Sequence, residues 1–318
     1  MHACSKRAMS VLGQESANWA ESHWAAIEQK SFSFNRQSLC AINTSQSKPA
    51  VTLPMYSNPT SILITGASSG IGAALARHYA ATEVTLFLSG RDQERLDEVA
   101  QQCRDAGASV STWVGDVTDE VGVREWINSC EDDTPLNLVI ANAGVALTAT
   151  EVSGLHQTAV DNFEINVNGV FNTVHPALEL FSARRTQPAN GSQIAIVSSV
   201  LAFMPVADMP AYAASKAAVK HYGQGLRAVF RESGIGISVI CPGYIDTPMT
   251  HDITAKKPFL LSAEKAANYI ARGLSSNKAI ITFPWQLSLL TRLMTRVSPS
   301  MLDRFSKPEQ AIRSNSAP

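Results

Sequence analysis

A doubly wound α/β fold, with one parallel sheet covered by helices on both faces, is the architecture this chain predicts. From residue 60 onward seven short apolar runs recur, at 61–65, 84–89, 109–114, 136–141, 192–198, 236–240 and 279–283. Amphipathic stretches of helical length, such as DQERLDEVAQQCRDAG and SAEKAANYIARGL, lie between most of them. Near-continuous apolar strands alternating with helices mean parallel pairing with both faces buried. Such sheets take ligands outside the carboxyl ends of their strands.

The first strand runs directly into TGASSGIG, residues 65–72, which opens the first helix. Gly66 permits a tight exit from the strand, while Gly70 and Gly72 let backbone approach a pyrophosphate and helix approach sheet. The helix N-terminus adds unpaired N–H groups and partial positive charge. Gly66, Ser68, Ser69, Gly70, Ile71 and Gly72 are therefore the expected contacts on the phosphate side of a dinucleotide. The second strand ends in LSGRD, with Gly90 where a site for NAD(H) places an acid, followed by Arg91. A guanidinium grips a 2′-phosphate in a bidentate manner, so NADP(H) is expected over NAD(H). Asp92 is assigned to capping the helix that follows.

PAYAASKAAV, residues 210–219, sets Tyr212 and Lys216 four apart in a run otherwise made of alanine, serine, proline and valine. On a helix these two share one face, a turn apart. A YxxxK pair alone is a weak signal, since a half-buried tyrosine beside a solvated lysine reads the same way.

The chain resembles the classical short-chain dehydrogenase/reductase family from about residue 60 to 283. TGASSGIG (65–72), GDV (115–117), ANAG (141–144), NVNG (166–169), SS (198–199), YAASK (212–216) and PGYIDTPM (242–249) carry the resemblance. The family's usual first Asn of NNAG is Ala141 here. The resemblance implies a Rossmann fold and a catalytic Asn166, Ser199, Tyr212 and Lys216. It implies that Asp116 and Val117 meet the adenine and that Asn142, Ala143 and Gly144 border the cofactor. Pro242, Gly243, Ile245 and Thr247 are expected on the nicotinamide side, the last two at its amide. Tyr212 would donate the proton to a nascent alkoxide, and Ser199 would hydrogen-bond the substrate oxygen. Asn166 would hold a water linking Lys216 to solvent. Lys216 together with an oxidised nicotinamide is expected to lower the tyrosine's pKa; a fall of ~3 units asks ~4 kcal/mol of differential interaction.

Leu147, Leu201, Phe203, Met204, Met209 and Tyr244 give the expected substrate mouth an apolar lining without arginine or lysine. A neutral, fairly hydrophobic ketone, aldehyde or secondary alcohol is the expected substrate. Residues 250–265 read as a lid. Two rival functions are weighed. A nucleotide-sugar epimerase of the extended branch shares the Tyr–Lys pair but has a tighter glycine turn and a larger substrate domain. A non-catalytic NADP(H) sensor or scaffold tends to lose the tetrad, and all four residues stand here.

The whole chain has 318 residues, 45% hydrophobic and 17% charged, with a formal net charge of −1. That composition excludes a general nucleic-acid binder, which carries a basic excess. Cys4, Cys40, Cys103, Cys130 and Cys241 are scattered, with no CxxC spacing. A reducing compartment is expected, with neither a disulfide framework nor a metal. A cytoplasmic homo-oligomer, dimer or tetramer, is the expected setting. Residues 1–58 are expected to be a disordered or mis-annotated extension with Met55 as the natural start, and 59–283 the catalytic domain. In 284–318, Leu287, Leu290, Met294, Val297 and Met301 form a helical stripe widened by Leu289 and Leu293, with serine, threonine and arginine opposite. Three readings stand for it: packing on its own domain or a partner, peripheral contact with a membrane surface through 284–305, or gating of substrate.

Overall fold

The computed structural model describes residues 58–149, 151–184, 191–251, 257–287 and 289, all within the compact unit Leu53–Pro318. The expected N-terminal extension lies outside the described residues. So do the centre of the expected lid and most of the C-terminal stripe.

Each of the seven apolar runs forms a strand of one sheet: β1 (Ser61–Ile64), β2 (Thr85–Gly90), β3 (Ser109–Val114), β4 (Leu138–Ala141), β5 (Ser192–Val197), β6 (Ile235–Pro242) and β9 (Ile280–Phe283). Their order is β3-β2-β1-β4-β5-β6-β9, and every neighbouring pair is parallel. The crossovers are α1 (Gly70–Tyr79), α2 (Gln93–Asp105), α3 (Glu120–Asp133), α4 (Leu155–Phe163) continuing into α5 (Gly169–Ala183), α6 (Pro210–Val229) and α8 (Ala263–Ser275). A short strand pair, β7 (Ile245–Asp246) and β8 (Leu261–Ser262), flanks the short α7 (Pro248–His251). No helix among the described residues is long and apolar enough to cross a membrane.

Side-chain alternation along each strand divides the core into two layers. Ile62, Ile64, Leu86, Leu88, Leu138 and Ile140 pack with α1, α2 and α8 on one face. Leu63, Phe87, Val139, Ile194, Ile196 and Ile237 pack with α3, α5 and α6 on the other. Helix ends follow the sequence: Asp92 accepts a hydrogen bond from the Arg95 N–H, Asp119 from Gly122 and Ser262 from Lys265. β4 starts two residues later than its apolar run. The Asn137 side chain there is turned aside to accept from the backbone N–H groups of Thr60 and Ser61, at 3.0 and 3.1 Å.

Strand order reverses direction between β1 and β4, so their following loops part and open a crevice. The loops are tied across that crevice. The Asn142 amide donates to the carbonyls of Thr65 and Gly66 at 2.9 and 3.0 Å, and the Thr65 hydroxyl accepts from Asn142 N–H at 3.1 Å. Gly72 lies beneath this tie, where a Cβ would come within 2.2 Å of the Gly66 carbonyl oxygen and 2.6 Å of the Asn142 amide nitrogen.

Gly72→Ala therefore forces the glycine turn away from Asn142. Overpacking of this kind costs about 1–3 kcal/mol, more than alanine's helix propensity returns (about 1 kcal/mol). Calorimetry should show a melting temperature lowered by several degrees, at roughly 2–4 °C per kcal/mol. An unchanged melting temperature would mean that helix and turn are not in contact as described.

Candidate active site

The crevice is a cleft of about 700 Å³ running from the end of β2 to the start of α6. At one end lie Arg91, Asp116 and Val117. In the middle are the turn residues Gly66, Ser68, Ser69, Gly70 and Ile71, facing Asn142, Ala143 and Gly144. At the far end are Ser199, Tyr212, Lys216, Pro242, Gly243, Ile245 and Thr247. Two of the residues singled out in the sequence stand behind its wall: Gly72 under the turn, and Asn166, fully buried.

The glycine turn fits a dinucleotide. Gly66 and Gly70 take positive φ (+67° and +55°), which turns the chain tightly back into α1. Helix α1 begins with no acidic residue in its first turn and no side-chain cap on its N–H groups. Those donors are left for a phosphate. At the β2 end Arg91 pairs with Asp116 at 3.5 Å, and Arg95, one turn into α2, pairs with Asp92 at 3.2 Å. Arg95 also lines the cleft. Its position four residues past Arg91 was the signal for it in the sequence, masked by its place on an ordinary polar helix face.

At the closed end, β5 delivers Ser198 and Ser199, and α6 delivers Tyr212 and Lys216. The Ser198 hydroxyl donates to the Lys216 carbonyl at 2.8 Å, which fixes α6 to the end of β5. Ser199 caps the 3₁₀ turn Val200–Phe203, accepting from Leu201 N–H at 3.1 Å, and is hydrogen-bonded to the Tyr212 phenol. Lys216 is only 3% exposed. Its Nζ donates to the Val197 carbonyl at 3.1 Å and lies 5.9 Å from the centre of the Tyr212 ring.

Asn166 sits in a π-helical turn, Glu164–Asn168, inserted between α4 and α5. Such wide turns concentrate at functional sites. Its Oδ1 accepts from Val145 N–H and its Nδ2 donates to Val145 O, both at 2.9 Å, with a further bond to Ser215 Oγ at 3.0 Å. Ser215 Oγ donates in turn to the Tyr212 carbonyl at 2.8 Å. Gly144 lies between the asparagine and the lysine. A Cβ there would be 2.8 Å from Asn166 Oδ1 and 3.0 Å from Lys216 Nζ.

Among the protein's own groups nothing lowers the tyrosine's pKa below its ordinary value. Burial pushes the Tyr212 phenol up, and only its hydrogen bond with Ser199 opposes this. Burial also brings Lys216 down to about 8. The cause is the same in both: low-dielectric surroundings disfavour the charged form. Burial likewise pushes the nearby Cys241 thiol up to about 12.

The six residues proposed for the substrate mouth are less united. Phe203 and Met204 line a second, apolar cavity of about 540 Å³ between the 3₁₀ turn and α6. Lys220 places its ammonium 4.7 Å above the Phe203 ring. Leu147, 38% exposed, and the half-buried Leu201, Met209 and Tyr244 are not among the residues that line either cavity. The cleft wall nearest Tyr212 instead recruits Val145, Ile165, Met249 and Thr250. Of the C-terminal stripe, Leu287 is buried and Leu289 exposed; the other positions lie outside the described residues.

The family model described as short chain dehydrogenase matches residues 60–258. An uncharacterized oxidoreductase of Myxococcus xanthus is 32% identical over 241 residues, 76% of this chain and 93% of the relative. Gluconate 5-dehydrogenase of Gluconobacter oxydans is 33% identical over 198 residues, 62% of this chain and 75% of that enzyme. Among solved structures, a short-chain dehydrogenase from Sphingobium yanoikuyae in complex with NADPH superposes with a TM-score of 0.64 at 26% identity. It covers 76% of this chain and 97% of its own.

The buried lysine generates a stability prediction. Its pKa falls from 10.5 to about 8 on folding, so between those values the unfolded chain binds more protons than the folded one. Stability contributed by this group therefore rises with pH across that window and is at its lowest below pH 8. Lys216→Met removes the penalty. Relative to wild type, the variant should be most favoured at pH 7, by up to about 3 kcal/mol, with the difference shrinking toward pH 10.5. Denaturant titrations of both proteins at pH 7, 8.5 and 10 test it. A difference independent of pH would show that Lys216 is not desolvated.

Proposed function

The chain belongs to the short-chain dehydrogenase family, and from that premise we propose that it reduces a neutral, fairly hydrophobic ketone or aldehyde with NADPH. The plain statement is an oxidoreductase acting on CH–OH with a nicotinamide dinucleotide. Direction, substrate character and cofactor preference are our reading. The observation that carries it is that Ser199, Tyr212 and Lys216 line one cleft together with the glycine turn, with Lys216 almost wholly buried.

The dinucleotide supplies hydride when bound. The protein's residues supply the rest. Ser199 and Tyr212 present two hydroxyls to one carbonyl oxygen, which orients it and receives its developing negative charge. Tyr212 gives up the proton. A phenol raised by burial keeps that proton throughout neutral pH, which suits a donor in carbonyl reduction. Lys216 stands behind as the cation that favours the transient phenolate. Asn166 and Ser215 fix the helix turn that carries both.

NADPH is preferred on the strength of Arg91 and Arg95. Their ion pairs with Asp116 and Asp92 are exposed, with the Arg91 side chain 64% accessible. Such pairs are worth only about 0.2–1 kcal/mol, so both guanidiniums can turn to a 2′-phosphate at little cost. Of the related solved structures, one holds NADPH and another NAD, so the preference rests on the two arginines.

Following nicotinamide absorbance over a panel of apolar ketones and aldehydes tests the activity. Tyr212→Phe keeps the ring and removes the donor, so turnover should fall by at least a hundredfold with NADPH affinity within about twofold. Retention of more than a tenth of wild-type turnover would remove Tyr212 from this role.

Cofactor choice is tested separately. Arg91→Ala should weaken NADPH binding by ten- to a hundredfold, a charge-assisted pair being worth ~1.5–3 kcal/mol, and Arg95→Ala by less. NADH affinity should hardly change in either. Equal affinity of the unaltered protein for both cofactors would overturn the preference.

A further inference from the structure

We infer that Asn162 is a positioning residue for carbonyl reduction: with Asn166 it forms a two-rung clamp that holds the cleft wall 145–147 in register with Tyr212 and Lys216. The inference rests on the reaction proposed above but stands on a separate set of contacts.

Asn162 lies on α4, fully buried, one turn before Asn166. Its Oδ1 accepts from Leu147 N–H at 3.4 Å, and its Nδ2 donates to Leu147 O at 3.0 Å. This repeats, one turn away, what Asn166 does with Val145. Each side-chain amide thus imitates a strand backbone, offering one donor and one acceptor to alternate residues of the wall. The spacing allows it. Four helical residues rise ~6 Å, and two extended residues advance ~6.6 Å. The rungs are joined, since Asn166 Nδ2 also approaches Asn162 Oδ1 at 3.4 Å, and Asn162 Nδ2 is tied back to Thr158 O at 2.8 Å.

Orientation follows from the same bonds. The acceptors around Asn166 Nδ2 are Val145 O, Ser215 Oγ and Asn162 Oδ1. They leave Oδ1 as the atom turned toward Gly144 and Lys216. Asn162 therefore helps set which end of the Asn166 amide meets the lysine, and it fixes Leu147 two residues beyond the cleft-lining Val145. It touches none of the reacting atoms.

Two variants of the full chain test the clamp. Asn162→Ala removes the Leu147 rung; hydrogen–deuterium exchange at the Leu147 amide should accelerate at least tenfold. In the same variant kcat/KM for a carbonyl substrate, counted per NADPH-binding site, should fall ten- to a hundredfold, the scale of a misplacement near 1 Å. NADPH affinity should stay within about twofold. Asn162→Asp gives the distinguishing readout. As a carboxylate it accepts from Leu147 N–H but meets Leu147 O with no donor. Protonated, it has one donor and one acceptor like the amide. On the same helix segment Asp161 is half-buried and bonded to Gln157, Glu164 is exposed and bonded to Asn168, and Lys216 lies across Asn166. Burial raises a carboxyl pKa, so the variant's kcat/KM relative to wild type should rise at least fivefold from pH 8.5 to 6. Residues needed only for folding would lower the count of active sites without that pH-dependent ratio. Unaltered exchange at Leu147 in Asn162→Ala, or a ratio for Asn162→Asp that is flat with pH, overturns the clamp. If wild type reduces no carbonyl compound, the proposed reaction fails and exchange at Leu147 alone decides the clamp.

Discussion

A lysine ammonium drawn almost completely out of water is the constraint around which this site is arranged. Lys216 has one backbone acceptor, the Val197 carbonyl, within hydrogen-bond distance. An ammonium left so poorly solvated shifts toward its neutral form, and its pKa near 8 registers that. The surrounding residues are small or polar for this reason. Gly144 has no side chain because Asn166 and Lys216 occupy the space a Cβ would need. Ser198 and Ser215 secure the helix that carries the lysine, one to β5 and one to its own preceding turn. The alanines of α6 leave the approach from the cleft open.

The same low dielectric that disfavours charge on the lysine protects the proton on Tyr212. The acidified tyrosine expected from the sequence draws on an oxidised nicotinamide as well as on the lysine one turn away. Spacing on a helix states who shares a face; it does not state how much water remains there. With Lys216 turned to Val197 and 5.9 Å from the ring centre, desolvation outweighs attraction for both groups. A donor and its supporting cation are thus each held in the protonation state that burial permits.

Much of the frame was legible before any coordinates. Seven apolar runs became seven parallel strands because burial on both faces favours apolar residues at successive positions, with Ser61, Ser89, Ser192, Gln193 and Ser238 as buried polar exceptions. β3 departs from this: alternately exposed along its length, it still reads as apolar because Trp113 stacks on Trp126. That Gly66, Gly70, Arg91, Ser199, Tyr212 and Lys216 meet at one cleft was legible, because each is a residue type with a distinctive backbone or chemical role in its motif. Arg95 and Asn162 were not. Four residues past Arg91, Arg95 had a spacing signal that its ordinary polar helix face masked, and a buried asparagine looks like an exposed one until its partners are known. Phe203 and Met204 show the converse limit, since apolar character predicted a pocket without saying which side of the 3₁₀ turn it opens on.

The π-helical turn Glu164–Asn168 accounts for why two asparagines can grip one extended segment. In a regular α-helix, residues four apart are offset by ~40° around the axis, so side chains one turn apart diverge from a straight line. A wider turn takes up part of that excess and brings Asn162 and Asn166 nearer to the same line, which the straight run from Val145 to Leu147 requires. Helix irregularity, asparagine spacing and the path of the cleft wall are in this sense one feature, set by the need to hold a wall one residue's width from a buried lysine.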